Sequence, residues 1–194
     1  MSGSAETPKP LQLQMLWPEN LLHSPPGVSL PGDYEIRTYE PRDKDAYLKL
    51  MASAGFTTFT EANLQEWLKR VLPKGLFVIL HRPTGEMAAT TMATHNPSDL
   101  HPFAGELGWV AGSPAHAGKG LGRAVCAAVV ARFLQAGYER IYLKTDDWRL
   151  PAIKVYLQLG FVPFLFTMGM EERWKTVCGK LKWAFTPDRW PCQG

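Results

Sequence analysis

Cysteine is scarce in this chain: there are three, Cys126, Cys178 and Cys192, and they are far apart. None belongs to a Cys-x-x-Cys pair, so neither a disulfide framework nor a zinc knuckle is predicted. The five histidines also lack the His-x-x-x-His and His-Glu-x-x-His spacings of zinc enzymes. We therefore expect no metal site.

Long apolar runs are missing as well. No stretch approaches the roughly 18 consecutive apolar residues of a membrane span, and the opening MSGSAETPKP has no apolar signal-peptide core. Charge of one sign is not in excess either, because 21 Lys and Arg against 18 Asp and Glu leave a formal net charge of +3. A nucleic-acid partner would need a concentrated basic face. We expect a cytoplasmic protein that contacts neither membrane nor nucleic acid.

Basic and aromatic residues do mix near the C-terminus, at 173–175 and 180–183. Such mixtures occur in segments that bind nucleic acid. Here, however, apolar and polar residues alternate from Val177 to Phe185. This period of two is typical of a strand with one solvated face, so we predict a strand at this end of the chain.

The length of 194 residues and the 45% of hydrophobic residues are typical of one soluble globular domain. Six of the sixteen prolines fall before residue 33, which predicts a proline-rich N-terminal arm at 1–32 and one domain at 33–194. Apolar residues alternate from Leu11 to Trp17, as in a short half-buried strand. Either the arm docks on the domain or on a partner chain, as in a homodimer, or it is a leader without fixed structure.

Beyond the arm, strands and helices are predicted in the order β-α-α-β-β-β-α-β-α-β. One helix should begin at Thr60, with Asn63 completing the cap, and should end at Pro73 and Gly75. The turn at 82–85 joins two strands as a hairpin. Hairpins mixed with helical crossovers indicate an α/β (α+β) fold with a mixed, mostly antiparallel central sheet flanked by helices. The predicted strands are 34–39, 76–81, 86–94, 105–112, 140–145 and 161–166, and the other helices cover 46–51, 122–135 and 151–159.

A glycine-rich turn follows the strand at 105–112, with Gly118, Gly120 and Gly122 at the start of a helix. Closely spaced glycines let backbone N–H groups approach a ligand, and the helix adds unpaired N–H groups and the positive end of its dipole. Lys119 and Arg123 add positive charge at the same place. The turn is therefore suited to a phosphate group, although three such glycines also permit a tight turn without any ligand.

Two common phosphate loops do not match. A Walker A loop would place four residues between its glycines and Ser or Thr after its lysine, whereas five residues separate Gly112 from Gly118 and Gly120 follows Lys119. The Rossmann fingerprint fails at its third glycine. Ser113 lies in Gly-Ser-Pro and not in the nucleophile elbow of hydrolases.

Two motifs resemble the GNAT superfamily of N-acetyltransferases over about 160 residues. The family's loop [RQ]-x-x-G-x-[GA] fits residues 117–122, except that Ala117 replaces Arg or Gln. A later segment, L-x-x-x-x-x-N-x-x-A-x-x-x-Y-x-x-x-G-F, is also in register, with Arg149 in the place of the frequent Asn. The order of elements is similar too. The residues that match the later segment are Leu143, Ala152, Tyr156, Gly160 and Phe161. The segments 108–114 and 138–161 are also similar to those of mycothiol synthase-like members.

The resemblance implies a GNAT-like acyl-CoA N-acyltransferase fold with acetyl-CoA as co-substrate. Its pantetheine arm would pair with the backbone of Trp109, Val110 and Ala111. Arg149 would reach a phosphate or lie at the surface beside Asp146. The pyrophosphate would be held by the amides of Gly118, Lys119, Gly120, Leu121, Gly122 and Arg123.

The resemblance also implies two catalytic groups. Glu106, eleven residues before Ala117, would be the general base for the amine; alternatively it is an ordinary strand-edge carboxylate that faces solvent. Tyr156 would be the general acid for the leaving thiolate, or else a core aromatic residue.

The acceptor would lie between the first two helices, against Phe56 and Phe59, with Trp67 and Trp148 nearby; each of these aromatic residues is also suited to core packing. An aromatic lining favours a partly apolar or cationic amine, either a small molecule or a peptide. Two functions remain open. One is an N-acetyltransferase in which a primary amine attacks the thioester directly, and the other is a non-catalytic acyl-CoA-binding sensor or scaffold.

Overall fold

A computed structural model describes residues 11–193 as a seven-stranded sheet covered by helices. The strand order is β2-β3-β4-β5-β6-β1-β7. The strands are β1 Leu13–Leu16, β2 Tyr34–Thr38, β3 Val71–His81, β4 Glu86–His95, β5 Gly105–Gly112, β6 Ile141–Thr145 and β7 Val162–Phe164. The helices are α1 Lys44–Ser53, α2 Glu61–Leu68, α3 Leu121–Gln135, α4 Leu150–Leu159 and α5 Met170–Leu181.

The sheet is mixed, as predicted. Within the described part of the chain, β5 and β6 form the one parallel pair, and the other neighbours are antiparallel. The parallel pair needs a crossover connection, which α3 supplies by packing across β3, β4 and β5.

β1 lies inside the sheet, between β6 and β7. The alternation around it had predicted a half-buried strand, but all four residues of β1 are buried: Leu13 and Met15 pack in an apolar cluster, and Gln14 Oε1 contacts the buried His101 ring. The described part of the predicted arm therefore contributes an interior strand of the sheet. The first ten residues of the arm lie outside the described residues, and the domain boundary at 32 and 33 stays a prediction.

The helix predicted from Thr60 begins as expected. Thr60 Oγ1 accepts a hydrogen bond from the Asn63 amide at 3.3 Å, and Asn63 Oδ1 accepts one from the Thr60 amide at 2.8 Å. The predicted end at Pro73 and Gly75 was wrong, because the helix ends at Leu68 and both residues lie in β3. A register shift in the pairing of β3 with β4 interrupts the ladder between 71 and 76, and such a bulge accommodates proline and glycine.

The strand predicted from Val177 to Phe185 was also wrong, since α5 runs to Leu181. Its buried residues are Met170, Trp174, Val177 and Cys178, which recur at the spacing of a helix.

Two apolar clusters lie on the two faces of the sheet. Successive residues of β3 point to opposite faces, so Val78 joins the cluster under α1 and α2 while Ile79 joins the larger cluster under α3 and α4. Among residues 11–193, no helix has both the length and the apolar character needed to cross a membrane.

Candidate active site

β5 and β6 diverge soon after they begin to pair. Their pairing is limited to Gly105 with Ile141 and Glu106 with Tyr142. Beyond these pairs a cleft of about 450 Å³ opens. It brings together seven residues predicted for the site, namely Glu106, Tyr156, Trp109, Val110, Arg149, Phe56 and Trp67. A larger groove of about 640 Å³, between the segment at 22–28 and α3, contains none of them.

A bulge shapes the wall of the cleft that β5 forms. Ala111 pairs with Thr90 and Gly108 with Met92, so Trp109 and Val110 have no partner in β4. Trp109 has a φ of 55°, which is strained for a residue with a side chain and is typical of functional sites. The backbone groups of residues 109 and 110 therefore lack a partner in β4, and their pairing with a pantetheine arm stays a prediction. The side chain of Ala111 is buried, so this residue can contribute only its backbone.

The Trp109 ring is the centre of an aromatic cluster. Its centroid lies 4.6 Å from that of Phe59, 5.5 Å from Phe56 and 5.6 Å from Trp67. Phe56 and Trp67 also line the cleft, so they combine packing with access to a ligand. Trp148 is 72% exposed and is absent from the cleft lining.

Glu106 is a buried carboxylate, only 9% exposed. Its Oε2 accepts hydrogen bonds from the Asn96 amide group and from Tyr142 Oη, the latter at 3.0 Å. Lys144 Nζ lies 3.8 Å from the same oxygen. Glu106 is therefore not a strand-edge carboxylate in solvent; it is a buried carboxylate, held by hydrogen bonds at the point where the strands separate.

Tyr156 is buried on α4 and lines the same cleft. Burial raises the pKa of its phenol well above the usual value, and the nearby Cys126 contributes in the same direction. The hydroxyl is therefore protonated at neutral pH and available as a donor. Thr145, at the end of β6, also lines the cleft, and its buried Oγ1 has no hydrogen-bond partner within the described residues. Such an orphaned group is suited to a ligand contact.

Arg149 lies between two aromatic rings. Its guanidinium is 4.8 Å from the Phe56 centroid and 4.6 Å from that of Trp148, and its Nε lies 3.2 Å from Asp146 Oδ2. These contacts place it at the aromatic end of the cleft and beside Asp146. Its contact with a phosphate stays a prediction.

The glycine-rich turn forms an open cradle of backbone amides. Gly118 and Gly120 have φ values of 76° and 75°, a conformation that favours glycine. In the described chain, no backbone carbonyl accepts a hydrogen bond from the amides of residues 118–123. We call these six groups the amide row. A Cβ added at any of the three glycines would meet no atom within 4 Å, so the surface is open to a ligand.

The side chains around the amide row also fit a phosphate. Lys119 and Arg123 are exposed beside it. Leu121 is 5% exposed and packs in the core, so its amide alone faces the turn. A helix N-terminus with free amides and two cations is suited to an anion. The contact of these residues with a pyrophosphate stays a prediction.

The sequence did not indicate Asn96, Tyr142, Lys144 or Thr145 as site residues. The parallel pairing places Tyr142 opposite Glu106, and no local pattern specifies that register. In residues 11–193 no cluster of three or more His, Cys, Asp or Glu side chains could hold a metal ion.

Comparisons of the sequence and the fold with known proteins identify relatives of this chain. The sequence model of the acetyltransferase (GNAT) family matches residues 41–161. The chain is 30% identical to a mycothiol acetyltransferase of Thermobispora bispora, covering 70% of this chain and 49% of the relative, and 28% identical to one of Pseudarthrobacter chlorophenolicus, covering 70% and 45%. The chain thus spans about half the length of these curated relatives. These similarities confirm the predicted likeness to mycothiol synthase.

Solved structures show the same fold. A GCN5-related N-acetyltransferase from Sphaerobacter thermophilus superimposes with a TM-score of 0.63 at 18% identity, covering 80% of this chain and 49% of that one. The predicted fold class is therefore confirmed. Because the family model covers more than half of the residues, the chain belongs to the GNAT family of acetyltransferases.

Proposed function

We propose that this chain is an N-acetyltransferase that uses acetyl-CoA and transfers the acetyl group to a primary amine by direct attack on the thioester. One observation carries the proposal: a buried carboxylate, Glu106, and a protonated phenol, Tyr156, line a single cleft. A base and an acid are the two proton-transfer groups that the reaction needs.

The chain offers a fitting site for acetyl-CoA, which supplies the thioester. The amide row, with Lys119 and Arg123, would hold the pyrophosphate. The backbone of residues 109–111 would pair with the amide-like pantetheine arm, and the N–H near Val110 would polarise the thioester carbonyl. The orphaned Thr145 hydroxyl supports a ligand at this depth of the cleft.

Glu106 would take a proton from the acceptor amine, directly or through water. A primary amine with a pKa near 10.4 is neutral in only about one molecule in 2,500 at pH 7. A positioned base should therefore contribute a factor of about 10²–10⁴ to the rate. The hydrogen bonds from Asn96 and Tyr142 fix the carboxylate for this role.

Tyr156 would donate a hydrogen bond to the departing thiolate. Because a thiol has a pKa near 8.5, below that of the buried phenol, the phenol would keep its proton and stabilise the thiolate by this hydrogen bond, and the thiolate would then take a proton from water. Phe56 and Trp67, at the opposite side of the cleft, would bind the acceptor, together with Phe59 and Trp148 at its margin. We also propose that the acceptor is a small-molecule or peptide amine and that the protein is cytoplasmic.

Calorimetry with coenzyme A and a thiol-release assay over a panel of amines test the proposal. Wild-type protein should bind coenzyme A and release thiol with at least one amine. Binding without turnover over small amines, polyamines and peptide N-termini would instead support the acyl-CoA-binding sensor. Absence of binding at high micromolar coenzyme A would contradict both functions.

A further inference from the structure

His116 lies two residues before the amide row and is 9% exposed. Its ring reaches two other elements of the sheet. Nδ1 is 2.9 Å from Tyr34 Oη on β2, and Nε2 is 3.3 Å from Glu86 Oε2 at the start of β4. The tautomer with the proton on Nε2 satisfies both contacts, because its Nδ1 accepts from the phenol and its Nε2 donates to the carboxylate.

The contact with Tyr34 is the stronger of the two. Tyr34 is 5% exposed and its bond to His116 is buried, whereas the Glu86 side chain is 58% exposed and water competes for it. The two rings also meet edge to face, with centroids 5.7 Å apart. Tyr34 therefore fixes both the position and the orientation of the imidazole.

The amide row needs such an anchor because its glycines do not fix the backbone. Gly118 and Gly120 have no side chain to pack, and a Cβ at either would touch nothing. The C-terminal end of the row is held by α3, from the bond between the Ala124 amide and the Gly120 carbonyl onward. At the other end, the Ser113 amide donates to the Ala88 carbonyl at 2.8 Å, and His116 is the last side chain tied to the sheet before Gly118.

We propose that His116 is a positioning residue: tied to Tyr34 and Glu86, it fixes the start of the amide row and thereby sets the affinity for the pyrophosphate of coenzyme A. This inference rests on the proposed function, since it assumes that the row holds that pyrophosphate. Groups fixed before binding lose less conformational entropy when the ligand arrives. Loss of the anchor should therefore weaken the ligand's phosphate contacts and leave those of its pantetheine arm unchanged.

The test compares three full-length variants by calorimetry with coenzyme A, below their melting temperatures. His116→Phe removes both ring nitrogens and Tyr34→Phe removes one hydroxyl. His81→Phe is the matched control, because this ring lies 4.9 Å from that of His116 but its Nδ1 contacts Thr84. At about fivefold in affinity for the buried hydrogen bond with Tyr34 and about twofold for the exposed contact with Glu86, we expect His116→Phe to weaken binding about tenfold and Tyr34→Phe about fivefold, with His81→Phe unchanged.

A second probe separates positioning from general damage. Pantetheine, which lacks the phosphates, is titrated at millimolar concentration and followed by NMR; its affinity should be the same in wild type and variants. The inference is overturned if coenzyme A binds to His116→Phe as it does to wild type, if His81→Phe loses as much affinity, or if both probes lose affinity alike. If His116→Phe does not fold, Tyr34→Phe replaces it in the test, and its affinities for coenzyme A and pantetheine are compared with those of wild type and His81→Phe in the same way. Failure of wild-type protein to bind coenzyme A would refute the proposed function itself, together with this inference.

Discussion

Glu106 is held by neighbours that come from separate parts of the chain. Asn96 follows β4, and Tyr142 is the second residue of β6. The Tyr142 hydroxyl lies 3.0 Å from Glu106 Oε2 and 2.8 Å from the Asn96 carbonyl oxygen. Burial and the charge of Glu106 raise the pKa of this phenol, so it stays protonated, and its single proton is shared between these two acceptors. At the residue scale, the proposed base is thus oriented by groups that do not themselves need to touch the substrate.

Removal of this orientation should slow the reaction without affecting binding. Tyr142→Phe deletes one donor to Glu106 and keeps the ring, so we expect kcat to fall about tenfold, as for a lost charge-assisted hydrogen bond, with unchanged affinity for coenzyme A. Steady-state kinetics and calorimetry measure the two. Tyr138→Phe is the control, because that hydroxyl contacts His95 Nδ1 at 2.8 Å and not Glu106. Equal kcat values for Tyr142→Phe and wild type would argue against the positioning of Glu106.

At the scale of elements, the junction of β5, the glycine-rich turn and α3 forms the ligand-facing backbone. The strand bulges at Trp109, and the turn passes through left-handed conformations at Gly118 and Gly120. Gly122, in the first turn of α3, has no positive φ. The three glycines of the motif are thus not equivalent. The left-handed backbone conformation favours glycine at 118 and 120, whereas Gly122 has an ordinary conformation and only leaves open space beside the turn.

This difference predicts separate effects of two alanine substitutions. Gly120→Ala places a Cβ on a left-handed residue and should destabilise the fold by about 1 kcal/mol. Gly122→Ala should have a stability close to wild type or slightly above it, since alanine favours a helix. Urea denaturation compares the two. Equal loss of stability in both variants would show that the left-handed conformation of Gly120 is not essential.

The sequence predicted correctly those elements that are specified by residues close together in the chain. The bounds of β5, the cap at Thr60 with Asn63 and the turn at 82–85 follow from residues close together in the chain. The patterns failed in α5, because the apolar residues around Val177 fit both the two-residue period of a strand and the 3.6-residue period of a helix. They also failed where a bulge admits proline and glycine into β3. The register of β6 against β5 connects residues 36 positions apart, so no local pattern could place Tyr142 beside Glu106.

At the scale of the whole molecule, a strand from the start of the described chain, β1, lies inside the single sheet between β6 and the edge strand β7. Gln14 of β1 contacts His101 Nε2, and Arg140 Nε donates to His101 Nδ1 at 3.2 Å. The His101 ring is fully buried and stacks on Tyr142 at 4.1 Å. Burial, with Arg140 and then Lys144 adding repulsion, lowers the pKa of His101 to about 4. A neutral histidine therefore joins β1 to the residues behind the active site.

The stability of the molecule should consequently depend on pH. Unfolded, His101 titrates near 6.5; folded, it is neutral down to about pH 4. Its contribution is fully present above pH 6.5 and is lost as the pH falls towards 4, because only the unfolded state takes up the proton. In wild type, the unfolding free energy should therefore fall as the pH falls through this range. In His101→Gln we expect the slope of this fall to be smaller by about 1 kcal/mol per pH unit. Urea denaturation from pH 7 to 4.5 measures the slope, and equal slopes for variant and wild type would refute this role.

The central claim is that one cleft transfers an acetyl group with Glu106 as base. The most direct test is mass spectrometry of amine acceptors after incubation with isotope-labelled acetyl-CoA, with wild-type protein and Glu106→Gln in parallel. We predict labelled product with wild type and a rate lower by about 10²–10⁴ with the variant, while both proteins bind coenzyme A equally. Equal rates of labelling by the two proteins would contradict the claim.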